Sequence, residues 1–347
     1  MTDLERRLDG LRERHGVAGV AGAIVDNDHV ACAAVGRRAR WGPGAGVPAR
    51  AEEGWHIGSC GKSITAVLYA RLVEHGLAAW GTPVAELFPD LDAVAPGWSS
   101  PTIDDLLRCR AGVAPNPVRR RMVSSYRSPL PASEERTRAT SEALARSPRQ
   151  PGRFRYSNLG YVVAGAAIDR LASVRYEEAL RRWVLEPLAI ATLGFGPPPA
   201  IAGHGPRLRL GPLLAGRGRP APPDDPRSDN PPVLTPAGRM HLSVPDWCRF
   251  LAVFLDGADP FLAPASLDRL LHLPDRGRTM GMGWASAAGL DASYGMQGSN
   301  TRWAATALID RERSRIAAVV ANDGRSRVLT ATALLARDLL SLDPSDP

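Results

Sequence analysis

The stretch Ile57-Gly58-Ser59-Cys60-Gly61-Lys62-Ser63-Ile64 places a serine three positions before a lysine. Beyond this stretch the apolar residues recur with the period of a helix, so we predict a helix over residues 60–75. Positions three apart share one face of a helix, and the ammonium of Lys62 can therefore reach the hydroxyl of Ser59. The partial positive charge at the helix N-terminus would stabilise an oxyanion formed there.

Lys62 is the only lysine among the 43 Lys and Arg residues of the chain. Arginine does not lose its proton in a protein, whereas lysine can when it is buried or lies near another cation. A neutral Lys62 would be able to take the proton of Ser59 and make the hydroxyl nucleophilic. The alternative is that one lysine has persisted by chance in an arginine-rich chain and has no special role. Other motifs are needed to distinguish these two interpretations.

A second motif, Tyr156-Ser157-Asn158, stands in a turn before a predicted helix over residues 159–171. A phenol and an amide two positions apart in such a turn can both point into one cleft. The alternative is that Asn158 caps the helix and Tyr156 packs as a loop aromatic.

A third segment, Gly295-Met296-Gln297-Gly298-Ser299-Asn300, precedes a predicted strand that begins at Thr301. A glycine beside an edge strand lets a substrate approach the backbone closely. The segment is therefore a further candidate wall of a binding site.

The order of predicted elements divides the chain into two parts. Residues 1–75 and 275–347 are expected to form one discontinuous α/β sheet domain, because predicted strands occur only near the two ends. Residues 76–274 are expected to form a mainly helical inserted domain, in which 196–236 is a long loop rich in Pro, Gly and Arg. The terminal elements are predicted as a helix over 3–14, a hairpin of 17–25 and 30–35, strands over 281–285, 301–309 and 316–320, and a helix over 326–341.

The net charge of +7 comes almost entirely from arginine. It is compatible with a polyanionic partner, such as an acidic carrier protein, or with a solvated surface in a genome that favours arginine. Aromatic residues do not alternate with the basic ones, so we do not expect nucleic-acid binding. No apolar run reaches the ~20 residues of a membrane span, and the N-terminus lacks the apolar region of a secretory signal. We therefore expect no membrane contact and a cytoplasmic location.

The four cysteines are scattered and form no CxxC pair, which favours reduced thiols over a disulfide framework. No Cys/His group has the spacing of a zinc site, so we expect neither a metal nor another cofactor. Cys60 is an alternative nucleophile, but no paired histidine is indicated. Ser59 is not in a GxSxG elbow, because Ile57 stands where the first glycine belongs.

Together these motifs resemble the serine β-lactamase-like hydrolases, especially the group of class C β-lactamases, D,D-carboxypeptidases and related esterases. The segment 57–66 is similar to their SxxK helix, and Tyr156-Ser157-Asn158 matches their YxN motif. The resemblance runs in order along nearly the whole chain. It implies an antiparallel sheet flanked by helices, with an inserted helical domain and the active site between them. Further similar segments are 102–112, 236–238 with Ser243, 246–250 and 281–284.

The resemblance also implies roles for individual residues. Ser59 would be the nucleophile, and Lys62 and Tyr156 would share the general-base and general-acid work. Asn158 would orient Lys62 and the substrate. The backbone N–H groups of Ser59 and Ser299 would form the oxyanion hole.

One position departs from the family pattern. The third motif is usually Lys-Thr-Gly or His-x-Gly, whereas this chain has Met296-Gln297-Gly298. The cation or imidazole that helps to grip a substrate carboxylate is missing. The departure, together with the expected cytoplasmic location, argues against β-lactam and cell-wall peptide substrates and favours an uncharged ester, thioester or amide.

The sequence thus predicts an SxxK serine enzyme that moves an acyl group from a small-molecule donor to water, an amine or an alcohol. Secondary metabolism is one setting in which such an enzyme would work. The alternatives are a non-catalytic binding protein on the same fold, which the Met296 departure motivates, and a β-lactamase or D,D-peptidase.

Overall fold

The computed structural model describes residues 1–27, 29–205, 220–255, 261–273, 280–287 and 293–341. Part of the expected loop over 196–236, residues 206–219, lies outside the described residues. The part that follows contains 3₁₀ turns at Pro226–Ser228 and Pro232–Leu234 and ends in a one-turn helix, Thr235–Gly238. Closely spaced prolines remove backbone donors and so limit these elements to single turns.

The N-terminal elements form as predicted. Helix α1 (Asp3–His15) starts with a capping box, in which Thr2 Oγ1 accepts the N–H of Glu5 and the Glu5 carboxylate accepts the N–H of Thr2. Strands β1 (Gly19–Asp26) and β2 (His29–Gly36) then pair as an antiparallel hairpin.

The hairpin is one edge of an antiparallel sheet that both ends of the chain build. Its C-terminal strands are β6 (Ala285–Ser286), β7 (Ser293–Ser299), β8 (Ala304–Asp310) and β9 (Arg315–Ala321). The order of the described strands is β2-β1-β9-β8-β7-β6, with β1 paired directly to β9. Strands β8 and β9 are buried almost throughout, which matches their continuous apolar sequences. The predicted antiparallel sheet is therefore confirmed.

Helices cover both faces of this sheet. On one face, α1 and the C-terminal helix α11 (Ser326–Leu340) pack through a buried cluster that includes Leu8, Val319 and Leu335. On the other face, helix α2 (Gly61–Glu74) and the helical middle of the chain belong to a larger buried cluster. Burial of each such aliphatic side chain contributes about 1.5–3 kcal/mol, so both layers are firmly attached to the sheet.

The middle of the chain is mainly helical. Buried Arg136 binds Asp169 at 2.8 Å and Glu177 at 2.7 Å, and its planar guanidinium thereby joins three helices. The elements of this region are α3 (Ile103–Leu107), α4 (Arg119–Ser124), α5 (Ala132–Leu144), α6 (Asn158–Leu171), α7 (Tyr176–Leu180), a π turn (Arg181–Leu185), β4 (Gly194–Phe195), α8 (Thr235–Gly238), β5 (Met240–Leu242), α9 (Val244–Ala252) and α10 (Pro264–Leu271).

A small second sheet connects this region to the segment that carries Ser59. Its described strand order is β3-β5-β4, where β3 is Trp55–His56. The N–H of Ile57 also donates to the carbonyl oxygen of Met240 at 3.0 Å. The residues immediately before Ser59 are therefore fixed against the segment that follows α8.

Three predictions about strands near the C-terminus were wrong in detail. The segment 295–299, predicted to precede a strand, lies itself in β7, and the strand predicted from Thr301 begins at Ala304. The reason is a turn: the side-chain oxygen of Asn300 accepts the N–H groups of Arg302 and Trp303, and Thr301 has a φ of 72°. The strand predicted over 281–285 is reduced to Ala285–Ser286.

The domain boundaries at residues 75 and 275 stay a prediction. One buried apolar cluster contains Ala21 of β1, Leu68 of α2 and Val162 of α6, so the sheet and the helical region share a core. Within the described part of the chain, no helix combines the length and the apolar character needed to cross a membrane.

Candidate active site

Ser59 lies in a short 3₁₀ turn, Gly58–Cys60, that leads directly into α2. The helix predicted over 60–75 is confirmed with slightly narrower bounds, and Ser59 precedes it. Gly58 has a φ of 54°, a left-handed conformation that glycine adopts without steric strain. The turn therefore presents the serine at the N-terminus of a buried helix.

Lys62 is 1% exposed, and its Nζ atom lies among three oxygen atoms. The distances are 3.1 Å to Ser59 Oγ, 2.8 Å to Asn158 Oδ1 and 2.5 Å to the carbonyl oxygen of Ala237. The last two oxygens can only accept hydrogen bonds, whereas a serine hydroxyl can also donate one. Two N–H bonds of Lys62 are thus engaged in either protonation state. The remaining position on Nζ faces Ser59, with a proton when the amine is charged and a lone pair when it is neutral.

Tyr156 approaches Ser59 from the other side. Its hydroxyl donates to Ser59 Oγ at 2.7 Å, and Lys62 Nζ lies 4.8 Å from the centre of its ring. The side chain is 41% exposed, in contrast to the buried lysine. Tyr156 therefore contacts both the candidate nucleophile and the open side of the site, where a leaving group would stand.

Asn158 is the first residue of α6 and is not its N-cap. Ser157 has that role, because its Oγ accepts the N–H of Gly160 at 2.9 Å. The side chain of Asn158 is consequently available to the site. Its Oδ1 accepts from Lys62, and its Nδ2 donates to Asn116 Oδ1 at 2.8 Å.

Strand β7 packs directly against the turn that holds Ser59. A Cβ atom on Gly298 would lie 1.9 Å from the carbonyl oxygen of Ile57 and 2.8 Å from the backbone nitrogen of Ser59. A Cβ atom on Gly58 would lie 2.5 Å from the backbone nitrogen of Ser299. Both glycines are therefore required, and they bring the two backbone amides named from the sequence to the same place.

The other predicted residues of β7 point in different directions. Met296 is buried, with its sulfur 3.8 Å from Ser63 Oγ on the site side of the sheet. Gln297 Nε2 instead donates to the carbonyl oxygen of Leu329 on α11, on the opposite face. Ser299 Oγ accepts the N–H of Thr301. Neither position of the Met-Gln pair places a cation beside Ser59.

Two residues of this arrangement were missed in the sequence. Asn116, between two prolines after α3, orients the amide of Asn158, and nothing in its local pattern indicates that role. Ala237 contributes a backbone oxygen, which no side-chain motif can reveal. The sequence marks the Pro236-Ala237-Gly238 segment only through its similarity to the family.

Cys60 does not offer a competing nucleophile. Burial raises the pKa of its thiol, an effect that the charge of Lys62 only partly offsets. The thiolate is the reactive form of cysteine, so a buried thiol with a raised pKa is inert. Ser59 therefore remains the candidate nucleophile of this turn.

A cleft of about 540 Å³ opens beside Ser59 and Lys62. Its wall is largely apolar and includes Phe154, Met280 and Met296. The described lining of the cleft contains one arginine, Arg337. It lies on α11, which packs on the opposite face of the sheet from α2. The described residues hold no group of three His, Cys, Asp or Glu side chains that could bind a metal ion.

The sequence profile of the beta-lactamase family matches residues 4–340. Comparison with curated proteins gives no significant match.

Solved structures with the same fold include an octameric penicillin-binding protein homologue from Pyrococcus abyssi. It is 23% identical, with a TM-score of 0.76, and the alignment covers 96% of this chain and 76% of that one. D-amino acid amidase from Ochrobactrum anthropi SV3 is 21% identical, with a TM-score of 0.76 and 98% of both chains covered. A D-stereospecific amidohydrolase from Streptomyces sp. is 17% identical, with a TM-score of 0.67 and 94% and 96% covered. The expected overall architecture is confirmed.

Proposed function

Because the chain belongs to the beta-lactamase family of serine hydrolases, we propose that it transfers an acyl group from a small ester, thioester or amide through a covalent intermediate on Ser59. The observation that carries this proposal is the pair of contacts at Ser59 Oγ. Lys62 Nζ lies at 3.1 Å and the Tyr156 hydroxyl at 2.7 Å, one buried and one facing the cleft. A base and an acid thus stand on two sides of one hydroxyl.

In the first half-reaction, neutral Lys62 accepts the proton of Ser59 while Oγ forms a bond to the carbonyl carbon of the substrate. Tyr156 gives a proton to the leaving alcohol, thiol or amine as its bond to that carbon breaks. The proton held by Lys62 then restores Tyr156, so the net change is transfer of the serine proton to the leaving group. Positioned acid–base groups of this kind contribute about 10²–10⁴-fold to a rate.

The negative charge that develops on the carbonyl oxygen requires hydrogen-bond donors. The backbone amides of Ser59 and Ser299 support this role, since Gly58 and Gly298 let the two segments meet without side chains between them. Loss of one such donor typically lowers the rate by about 10²–10³-fold. The contact between the Ser59 turn and β7 should therefore contribute strongly to the acylation rate.

The cleft favours an uncharged acyl group. Its wall is largely apolar, and the described cations of the wall are Lys62 and, on α11, Arg337. Two structural neighbours are a D-amino acid amidase and a D-stereospecific amidohydrolase, so amides of D-amino acids belong in the substrate panel. The second half-reaction delivers the acyl group to water, or to an amine or alcohol that replaces water.

The test is a panel of p-nitrophenyl esters and amino acid amides of both configurations, with and without an added amine such as glycinamide. We expect turnover of at least one class by the wild-type protein and none by Ser59→Ala. With the amine present, a new amide product would identify acyl transfer, whereas acid alone would identify hydrolysis. Absence of turnover and of any burst of p-nitrophenol would contradict the proposed function.

A further inference from the structure

Behind the active site, one carboxylate oxygen joins two segments that flank Ser59. Asp229 Oδ1 lies 2.9 Å from His56 Nε2 and 2.6 Å from Asn300 Nδ2. All three side chains are buried. The three residues come from distant parts of the chain, before the nucleophile turn, before α8 and after β7.

The first arm of this network leads to the nucleophile turn. His56 Nδ1 accepts the N–H of Gly58 at 3.0 Å, so Nε2 must carry a proton and donate to Asp229. The imidazole is also stacked on Trp303, with ring centres 5.3 Å apart. The Gly58 N–H belongs to the Ile57–Gly58 peptide, and the Ser59 N–H belongs to the next peptide along the chain. The histidine therefore fixes the peptide group directly before the one that carries the Ser59 N–H.

The second arm leads to the end of β7. Asn300 Nδ2 donates one hydrogen bond to Asp229, and its Oδ1 accepts the N–H groups of Arg302 at 3.1 Å and Trp303 at 3.2 Å. The side chain is thus held at both ends, and it closes a turn that contains the strained Thr301. Asn300 directly follows Ser299, whose amide nitrogen lies beside Gly58.

We propose that Asp229 is a positioning residue that sets the distance and orientation of the Ser59 and Ser299 amides through His56 and Asn300. The inference rests on the proposed function, because it assigns these amides to the oxyanion hole. A single carboxylate oxygen shared by both arms makes the two donors one rigid unit. Such a unit is the arrangement that stabilises a developing oxyanion without reorganisation.

Asp229 is itself held in place by contacts that do not belong to either arm. Its Oδ1 also accepts the N–H of Asn230 at 2.6 Å, and its carbonyl oxygen accepts the Tyr126 hydroxyl at 2.7 Å. Arg239 Nε stands 3.9 Å from Oδ2. Burial works to raise the pKa of Asp229, but the hydrogen bonds from His56 and Asn300 and the nearby charge of Arg239 lower it below its ordinary value, so the group stays anionic.

The test compares Asp229→Ala with Asp246→Ala, which removes another buried, multiply hydrogen-bonded carboxylate. Asp246 lies in the first turn of α9, binds Thr192 and contacts neither arm. The probe is p-nitrophenyl [1-¹³C]butyrate. Stopped-flow bursts give the acylation rate and the binding constant, and ¹³C-edited infrared spectra give the carbonyl band of the Ser59 acyl-enzyme. Hydrogen bonds in an oxyanion hole lower the frequency of that band.

For Asp229→Ala we expect acylation to slow by about 10–100-fold, less than the 10²–10³ for a lost donor, with the binding constant changed less than threefold. Its carbonyl band should broaden and move to higher frequency, and Asp246→Ala should leave the band at the wild-type position. An unchanged band and acylation rate in Asp229→Ala, or an equal effect in both variants, would overturn the inference.

Two histidine variants keep the test decisive if Asp229→Ala does not fold. His56→Gln retains a donor toward Asp229 and loses the acceptor for Gly58, whereas His56→Asn retains the acceptor and loses the donor. Both should shift the band, and wild-type spectra from both would overturn the inference. A wild-type protein that forms no acyl-enzyme would instead contradict the proposed function, so the two failures are distinguishable.

Discussion

The hydroxyl of Tyr156 lies 2.7 Å from the Oγ of Ser59, although 97 residues separate them in sequence. The tyrosine comes from the turn before α6, and the serine comes from the turn before α2. Asn158, two residues after Tyr156, binds the lysine that also contacts Ser59. The two turns therefore form one hydrogen-bonded unit, from which most of the following predictions derive.

Lys62→Arg should be nearly as damaging as Lys62→Ala. Arginine keeps the positive charge but cannot lose its proton, and its planar fork does not match the three oxygens around Nζ. We expect a loss of about 10²–10⁴-fold in the acylation rate for either variant, the usual contribution of a general base. The measurement is the stopped-flow acylation rate of wild type and both variants with a p-nitrophenyl ester. Circular dichroism checks that the variants are folded. An arginine variant within about tenfold of wild type would show that Lys62 acts only through its charge.

Penicillins and cephalosporins should be hydrolysed poorly or not at all. Met296 and Gln297 offer no cation beside Ser59 for the carboxylate of a β-lactam. A charge-assisted contact contributes roughly 1.5–3 kcal/mol, or one to two decades in rate. Nitrocefin turnover is the measurement, and a kcat/KM on the order of 10⁶ M⁻¹s⁻¹ or more would contradict the prediction. Met296→His should raise acylation by β-lactams.

Asn158→Ala should slow acylation more than Asn116→Ala does. The first change removes a direct acceptor of Lys62, whereas the second removes only the contact that orients Asn158. A hydrogen bond to a charged group is worth about 1.5–3 kcal/mol, which corresponds to roughly 10–100-fold in rate. Both variants are compared by burst kinetics on one ester. If Asn116→Ala were the more damaging change, Asn116 would have to contact the substrate itself.

Asp229→Asn should reduce stability at neutral pH and change its dependence on acid. Although burial works to raise the pKa of Asp229, its contacts lower that pKa in the folded protein below the value in the unfolded chain. The resulting stabilisation is complete above the unfolded value of about 4 and is lost as pH falls through the folded one. Urea unfolding should therefore show that the free energy of unfolding of the variant is below that of wild type at pH 7. This difference should be smaller at pH 3. The exposed control Asp268→Asn should show little deficit at either pH.

The fold could be predicted from the sequence where local patterns and long-range pairing agree. The hairpin, α1 and α2 follow from periodicity, and the sheet from two chain ends follows from the positions of the strands. Strand β7 could not be predicted in this way. Its sequence, Ser293–Ser299, is rich in glycine and has no β-branched residue, and its conformation depends on pairing with β8.

For the candidate site, too, the sequence predicts only the features that local motifs carry. Ser59, Lys62, Tyr156 and Asn158 carry their chemistry in their side chains at motif spacing, and the structure brings them together as the sequence suggested. The backbone oxygen of Ala237 and the buried network around Asp229 depend on the conformation of distant segments. Such contacts arise from tertiary structure and leave no periodic or motif signal in the chain.

The central claim is that Ser59 becomes covalently acylated, and the most direct measurement is the site of labelling by a fluorophosphonate probe. Wild-type protein and Ser59→Ala are incubated with the probe, digested and analysed by mass spectrometry. We expect one equivalent of probe on the peptide that contains Ser59, none on Ser59→Ala, and slower labelling of Lys62→Arg. Labelling at another residue, or equal labelling of Ser59→Ala and wild type, would contradict the account.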